Sequence, residues 1–488
     1  MAAGNITLRA KGRRKSKLWL LEDTRGRWRG RCRRAGARCT RRRAPEGRRA
    51  AARGGGGGGD TDLRAFDGLR VLCMMCVVVE HVCWLATQSY LVNTRHYELM
   101  RLSTDVMMMV NSTLVVQIFF LMSSFLLAHK LLQRRRRGDG APRFAVFAET
   151  LVDRVVRVSP SYFFVVWFAA SWWARAGRGP LWAPHVRAEA DVCRRKWWTH
   201  LLYLNNVLYA DDKCLIQTWY LAADMQLYAL SLALTLALWR RRRGAIFVLA
   251  ALLVGAVALI FAIAYAWRLI PTYVMHSPEL VRAIYRGESS FNVLYQSPLS
   301  NSPGALAGLL LAHLHHHLLD AGVVLAEHKV FRWVSVASPP LAVLWAALSP
   351  LLLGRGPPAR GAAAALAAVE RPVFSLFVAL GLLGAMNGVR SPLRTLFSWR
   401  GWATPARLSF GVLLLHLPLN KSLVASSLAP AQLSRQVAIF EWFGVALVSY
   451  LCALPLALLV ELPALRLRRA LGPRPAPAPR PKKAELAS

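Results

Sequence analysis

Apolar residues gather in long blocks separated by short charged clusters, whereas an amphipathic soluble chain repeats them at helix or strand period. A helix that crosses a bilayer needs about 20 mostly apolar residues. Ten blocks approach that length, at 69–87, 106–132, 151–173, 219–239, 245–267, 303–319, 330–353, 362–386, 407–426 and 437–462. Pro or charge interrupts several of them, as at Glu370, Arg371 and Pro372. The pattern predicts an all-α integral membrane protein, a bundle of about ten transmembrane helices with an error of one or two.

Composition agrees with a membrane protein and explains the charge. Hydrophobic residues make up 55% of the chain, and the formal net charge is +38. A charge of this size would ordinarily suggest a nucleic-acid partner, but 20 of the basic residues fall in the first 66 positions and many others flank apolar blocks. The positive-inside rule accounts for that placement. We therefore expect membrane lipids as partners and no nucleic acid.

The placement of Lys and Arg also predicts the orientation. With both termini in the cytosol, an even number of crossings keeps the basic clusters at 134–137, 240–243, 390–407 and 466–483 on the cytosolic side. The loops that then face the lumen or the cell exterior lie near 88–105, 174–218 and 268–302. The second of these loops also holds three basic residues, Arg194, Arg195 and Lys196. The pattern leaves the compartment open between the endoplasmic reticulum and the plasma membrane.

Composition shifts divide the chain into three parts. Residues 1–62 are rich in Arg and Gly and too poor in apolar residues to fold, which predicts a disordered cytosolic tail. They contain no apolar core of signal-peptide length, so we expect the first helix to direct insertion. Residues 63–464 form the predicted transmembrane domain, and 465–488 a basic, Pro-rich cytosolic tail.

Cysteine usage separates by predicted compartment. Cys32 and Cys39 lie in the cytosolic tail, whereas Cys193 and Cys214 share a predicted lumenal loop 21 positions apart. Because that loop is exposed to an oxidising compartment, we expect a disulfide between the latter pair.

Two residue clusters raise the question of a metal. Cys73, Cys76 and Cys83 share a helical face with Glu80, but buried cysteines more often act as small hydrophobic residues. A histidine cluster at the end of the sixth block is interpreted as solvated or snorkelling; it comprises His313, His315, His316 and His317. We therefore predict no metal site.

The first block carries Arg70 and, eleven residues later, His81. Eleven residues make about three helical turns, so both side chains lie on nearly one face, about 16 Å apart. Ionisable residues inside a membrane are costly and usually line a protein cavity or a substrate path. The spacing favours such a path, and a purely structural bond from His81 to a neighbouring helix is the alternative.

A second basic pair, Arg154 and Arg157, is one turn apart at the start of the third block. Guanidinium forks bind phosphate oxygens in bidentate fashion, which would make the pair a phosphate clamp. The alternative is that both are positive-inside anchors of the helix. Asp224 in the fourth block needs a partner, and the arginines or His81 are the candidates. His416 adds another intramembrane histidine.

These residues occur in motifs that resemble the acyltransferase 3 family, and most closely its animal, nose-resistant-to-fluoxetine-like branch. The motifs follow the family's order: Arg-x10-His, Phe-Phe-x-x-Ser ending at Ser123, Arg-x-x-Arg, Trp-Tyr-Leu-x-x-Asp-Met-Gln-x-Tyr, and a late Ser with a His seven residues on. The resemblance spans about 64–462. It implies a catalytic set of His81, Arg70 and Asp224 and a substrate-binding set of Arg154, Arg157, His416 and Ser123.

At three positions of the family pattern this chain has a different residue. Family members usually carry Asp where this chain has Gln117, Gly where it has Ser124, and a small residue in place of Glu80. The branch also commonly has a cysteine-rich lumenal domain before the first helix, where this sequence has the basic tail.

The resemblance implies transfer of an acyl group from acyl-CoA, as a co-substrate, to a hydroxyl of a lipid, sugar or other small acceptor. No tightly bound cofactor is expected. One alternative is a lipid or small-molecule transporter that uses the same buried charges. An inactive, receptor-like family member is another, which the departures at Gln117 and Ser124 keep open.

Overall fold

The computed structural model describes residues 61–100, 103, 106, 109, 111–138, 144–241, 243–354 and 358–471. The tail predicted at 1–62, including Cys32 and Cys39, lies almost wholly outside these residues, as does most of the tail predicted at 465–488.

The described residues are overwhelmingly helical, and their β-structure is one isolated bridge between Leu91 and Ala431. The ten long helices are α1 (Ala65–Ala86), α2 (Val116–Arg136), α3 (Phe144–Ser171), α4 (Trp219–Ala237), α5 (Gly244–Ala266), α6 (Pro298–Asp320), α7 (Lys329–Leu348), α8 (Arg360–Met386), α9 (Ala403–Ser426) and α10 (Arg435–Leu456). Shorter α-helices are Thr94–Met100, Ala188–Leu201, Thr272–Met275, Pro278–Arg282, Pro392–Phe397 and Leu462–Leu471.

Eight of the described helices are long and apolar enough to cross a membrane, namely all of the ten except α3 and α6. The all-α membrane bundle is therefore confirmed, and eight lies within the allowed error of the predicted ten. α3 and α6 coincide with predicted blocks but carry more polar side chains. In α6 these face the protein, since Ser300, Asn301 and Ser302 are all buried. A helix surrounded by other helices does not need an apolar surface against lipid.

The backbones of α2 and α6 approach closely because α6 presents glycine to α2. A Cβ atom at Gly308 would lie 2.3 Å from the carbonyl oxygen of Leu121, and one at Gly304 would lie 2.6 Å from Gln117 Oε1. Small residues four apart permit this packing in membrane helices, where association depends on close van der Waals contact. The pair forms the centre of one apolar core, together with side chains from α8.

A second apolar core joins α1, α3, α9 and α10. The glycine of α9, Gly411, faces Ala453 of α10 at a distance that leaves no room for a larger side chain. This packing brings α1 against α9 and so positions the two histidines described below.

The segment between α3 and α4 is closed by a disulfide between Cys193 and Cys214, whose Cα atoms are 5.0 Å apart. Lys196 is buried beneath it and donates hydrogen bonds to the carbonyl oxygens of Asn205, Tyr209 and Asp212 at 3.0, 2.6 and 2.9 Å. Burial lowers the pKa of Lys196 to about 8. The lysine thus organises the loop from inside.

The histidine cluster at the end of α6 is a correction to the sequence interpretation. His313, His315 and His316 are buried, with 3% or less of each side chain exposed, rather than solvated. His316 Nε2 lies 3.1 Å from His129 Nδ1 on α2. The central position of α6 in the bundle explains this burial. In the sequence the cluster is seen only to lie at the end of an apolar block, and that position does not indicate burial. No group of three or more residues able to hold a metal ion occurs within the described ranges.

Candidate active site

Two histidines from distant parts of the sequence meet inside the bundle. His81 Nδ1 on α1 lies 2.8 Å from His416 Nε2 on α9, and the rings are stacked with centroids 5.0 Å apart. His416 is buried, with 1% exposed, and its Nδ1 lies 2.9 Å from the carbonyl oxygen of Val412 one turn earlier. His81 is partly accessible.

The hydrogen-bond chain fixes the tautomers. A carbonyl oxygen can only accept, so His416 Nδ1 donates to Val412 and a neutral His416 has a lone pair on Nε2. His81 Nδ1 must then donate to that lone pair. The remaining nitrogen of His81, Nε2, is left as a hydrogen-bond acceptor, which is the state a general base requires.

His81 lines a cavity of about 40 Å³ in the interior of the bundle. Its polar walls come from Glu80, Gln217, Tyr220 and Tyr295, with apolar residues such as Leu413 completing it. A second, smaller cavity of about 20 Å³ shares His81 and Glu80 and adds the side chain of His276. Because these cavities exceed the 10–15 Å³ that one water needs, each has room for a small polar group beside His81.

A second polar group is built around Arg154 of α3. Its guanidinium forms an ion pair and hydrogen bond with Asp224 of α4. The same nitrogen, Nη2, lies 3.3 Å from Ser123 Oγ of α2, and the guanidinium carbon is 4.8 Å from the centre of the Tyr228 ring. Of the partners that the sequence offered for Asp224, the structure selects Arg154.

Two further arginines stand beside this pair. Arg157 is exposed and has Arg154, Glu461 and Arg70 as electrostatic neighbours. Arg70 is partly exposed, and its Nη1 lies 3.3 Å from Asp67 Oδ1. Each of these three arginines has an acidic neighbour, but Arg157 and Arg70 stay accessible. Accessible guanidinium groups bind anions, so the three arginines, hereafter the arginine cluster, are suited to an anionic ligand.

Tyr220 connects the arginine cluster to the histidine pair. Its ring lines the cavity at His81, and its hydroxyl is within electrostatic reach of Arg70, Arg154 and Asp224. The residues predicted from the sequence thus fall into two neighbouring groups, five around the arginines and two in the histidine pair, of which His81 lines the cavity. The shared helix face of α1 spans the distance between them, about 16 Å for the eleven residues from Arg70.

Sequence reasoning missed several cavity residues. Tyr220 lies within a quoted motif but received no role, and Gln217 and Tyr295 come from segments without regular helical periodicity. His276 lies between two short helices and approaches Glu80, with Nε2 3.9 Å from Oε1. Hydropathy patterns give no signal for such segments, because their position depends on how the helices pack.

Two of the departures from the family pattern lie in interhelical hydrogen bonds. Gln117 Nε2 donates to Asn301 Oδ1 of α6 at 2.6 Å, and Ser231 Oγ of α4 donates to Ser124 Oγ at 3.1 Å. Both bonds lie outside the cavity that His81 lines. The third departure, Glu80, does line that cavity.

Comparison with known proteins identifies the family of the chain. The chain is 23% identical over 386 residues to the Caenorhabditis elegans protein "Nose resistant to fluoxetine protein 6", an alignment that covers 73% of this chain and 45% of that protein. The chain therefore spans about half the length of this curated relative. No solved structure matches the present chain. The acyltransferase 3 family model, described as an acyltransferase domain, matches residues 63–460. The chain thus belongs to the acyltransferase 3 family of multi-pass membrane proteins.

Proposed function

We propose that the protein moves an acyl group from acyl-CoA to a hydroxyl of a small acceptor, with His81 as the general base. Membership of the family supports a membrane acyltransferase in general. The observation that carries the finer proposal is the chain from Val412 through His416 to His81, which leaves Nε2 of His81 as an acceptor beside a cavity.

In the proposed reaction the acceptor oxygen attacks the carbonyl carbon of the thioester. The hydroxyl proton passes to His81 Nε2, a C–O bond forms, and the C–S bond breaks when the tetrahedral intermediate collapses. The imidazolium then returns the proton to the departing thiolate of CoA. His416 stabilises the transient charge on His81, because its neutral Nε2 accepts from Nδ1 throughout.

The arginine cluster supplies the binding site that we propose for the CoA phosphates. Arg157 and Arg70 are the accessible members of the cluster. Arg154 is held by Asp224, so its role would be to position the cluster and the adjoining Tyr220 rather than to bind freely. The long pantetheine arm suits the distance of about 16 Å between Arg70 and His81.

A polar acceptor would approach from the opposite end. A pocket of about 90 Å³ there is lined by charged side chains, among them Lys213, Asp212 and Arg286. It shares Trp84 and Ile216 with the small cavity at His81. These two residues separate the pocket from the histidines, and their movement would admit a hydroxyl group.

The proposal is tested by release of CoA thiol from acyl-CoA with purified protein in nanodiscs. His81→Ala should fold normally and lose at least about a hundredfold in rate, the usual contribution of a positioned general base. His96→Ala, at an exposed histidine away from the cavity, is the matched control. Arg70→Ala should raise the acyl-CoA concentration needed for half-maximal rate, and Arg70→Lys should recover only part of the loss.

A transport assay in sealed vesicles separates the proposal from a transporter. Transport of a labelled lipid across the vesicle membrane, without any thiol release from acyl-CoA, would favour a transporter. Full activity of His81→Ala at normal stability would show that His81 is not the general base and would refute the proposed mechanism.

A further inference from the structure

A third cavity adjoins the histidine site, and no step of the reaction described above uses it. It lies between α1, α10 and the short helix Thr94–Met100, and its volume is about 250 Å³. Its walls are mainly apolar and include Val79, Cys83, Met100 and Ile439. This is slightly below the range of about 300–1,000 Å³ for pockets that hold drug-sized ligands, so it suits a hydrocarbon chain better than a bulky ring system.

The apolar cavity is divided from the reaction site by side chains that line both spaces. It shares Glu80, Trp84 and His276 with the small cavity that contains His81. That small cavity in turn shares Glu80 and His81 with the one that Tyr220 lines. The three spaces therefore form one line that starts near the arginine cluster, passes His81 and ends between α1 and α10.

The order of polar and apolar walls along this line matches the order of groups in an acyl-CoA. Positive charge comes first, then walls around His81 that mix polar side chains with apolar ones, and then a mainly apolar space. From Glu80 to Thr87, which both line the apolar cavity, the helix rises about 10 Å. A chain of several methylenes would fit that length, whereas an acetyl group would end at His81 and leave the space unused.

We propose that this apolar cavity binds the hydrocarbon tail of the donor, so that the protein prefers acyl-CoA with a medium-length aliphatic chain over acetyl-CoA. The preference among acyl-CoA substrates rests on the proposed function. The binding of the tail can be tested separately from turnover.

Two substitutions change the cavity in opposite directions. Ala438→Phe on α10 adds a ring to the cavity wall, and Met100→Ala removes side-chain volume from its far end. Ala258→Phe places the same ring on the exposed surface of α5 and serves as the control. Melting temperatures of all three variants show whether each one has folded.

The measurement is CoA release from acetyl-, octanoyl- and palmitoyl-CoA by the full chain in nanodiscs. Each buried methylene contributes roughly fourfold to affinity. Octanoyl-CoA should therefore be preferred, and Ala438→Phe should lower its rate relative to acetyl-CoA at least about tenfold, the loss of about two methylenes. Met100→Ala should shift the preference toward palmitoyl-CoA, and Ala258→Phe should change nothing. A preference for acetyl-CoA, or profiles that Ala438→Phe leaves unchanged, would overturn the proposal.

A second measurement needs no turnover. A non-hydrolysable octyl thioether of CoA with a diazirine at the chain end should label Cys83 and Ile439 under light, and Ala438→Phe should abolish that labelling. His81→Ala should label as the unaltered protein does. Specific labelling by this probe, together with no thiol release from the acyl-CoA substrates of the first measurement, would refute the proposed transfer and keep the tail site. Labelling spread over the outer surface of the bundle would refute the site.

Discussion

The ion pair between Arg154 and Asp224 offers the sharpest test of how the site is held together. We consider Asp224→Ala, which removes the carboxylate from α4 and leaves the guanidinium in place. The side chains of Arg154 and Asp224 are 22% and 7% exposed, so the pair is largely withdrawn from solvent. Breaking a buried pair from one side costs about 3–5 kcal/mol because a charge is left uncompensated.

The structure places the expected cost at the lower end of that range. Arg154 retains its contact with Ser123 at 3.3 Å, and its guanidinium stays above the Tyr228 ring at 4.8 Å. A cation–π contact of this kind is worth about 0.5–2 kcal/mol. We therefore expect Asp224→Ala to lower the free energy of unfolding in mixed micelles by about 3 kcal/mol.

The double variant Arg154→Met with Asp224→Leu separates structure from function. Replacing both charges by apolar side chains is often neutral or stabilising, so its stability should return to within about 1 kcal/mol of the unaltered protein. Thiol release from acyl-CoA should stay low, because the arginine cluster has lost a member. If Arg154→Met and Asp224→Leu were each nearly neutral when made singly, or if their costs simply added in the double variant, the pair would not be coupled as described. Recovery of activity in the double variant would limit the pair to a structural role.

Three further predictions concern the loops and the orientation. Cys193→Ser should lower stability by about 3 kcal/mol in the loop-entropy model, and mass spectrometry of unreduced peptides should find the unaltered protein's Cys193 bonded to Cys214. Lys196→Met should speed hydrogen exchange in the loop it organises. Since the folded pKa of Lys196, about 8, lies below its ordinary 10.5, the unfolded chain binds more protons between those values. Stability should therefore rise with pH there, and this rise should be lost in the variant. Impermeant thiol reagents supplied from the lumenal or outer side of the membrane should label a cysteine at Arg187 and spare one at Arg136.

Hydropathy and charge predicted the helices well because each depends on local sequence. The ten apolar blocks coincide with the ten long helices, and the cysteines assigned to one loop are joined in the structure. Asp224 could be predicted to need a partner from the sequence alone, because an isolated charge in a membrane is costly. The choice of Arg154 among the candidates did need the packing of α3 against α4.

The contacts that define the site were not predictable in this way. His81 and His416 are 335 positions apart, and only the packing of α1 on α9 brings them together. The burial of His316 likewise follows from the central place of α6 in the bundle. Hydropathy does not show which helices are surrounded by other helices. Glu80 was noticed as an unusual residue, but its approach to His276 depends on a segment without regular periodicity.

The pairing of a histidine with a second histidine, rather than with a carboxylate, has a physical reason in this setting. A carboxylate partner would add a full negative charge to the membrane interior, where ionised groups are costly. The chain from Val412 to His416 to His81 orients the base with neutral groups alone, so the resting site carries no net charge at these three residues. Charge would form on His81 only when a hydroxyl gives up its proton. His416 should then act through position: His416→Gln, whose amide oxygen can still accept from Nδ1, should retain more activity than His416→Leu at equal stability. Equal rates for the two variants would show that His81 does not depend on this bond.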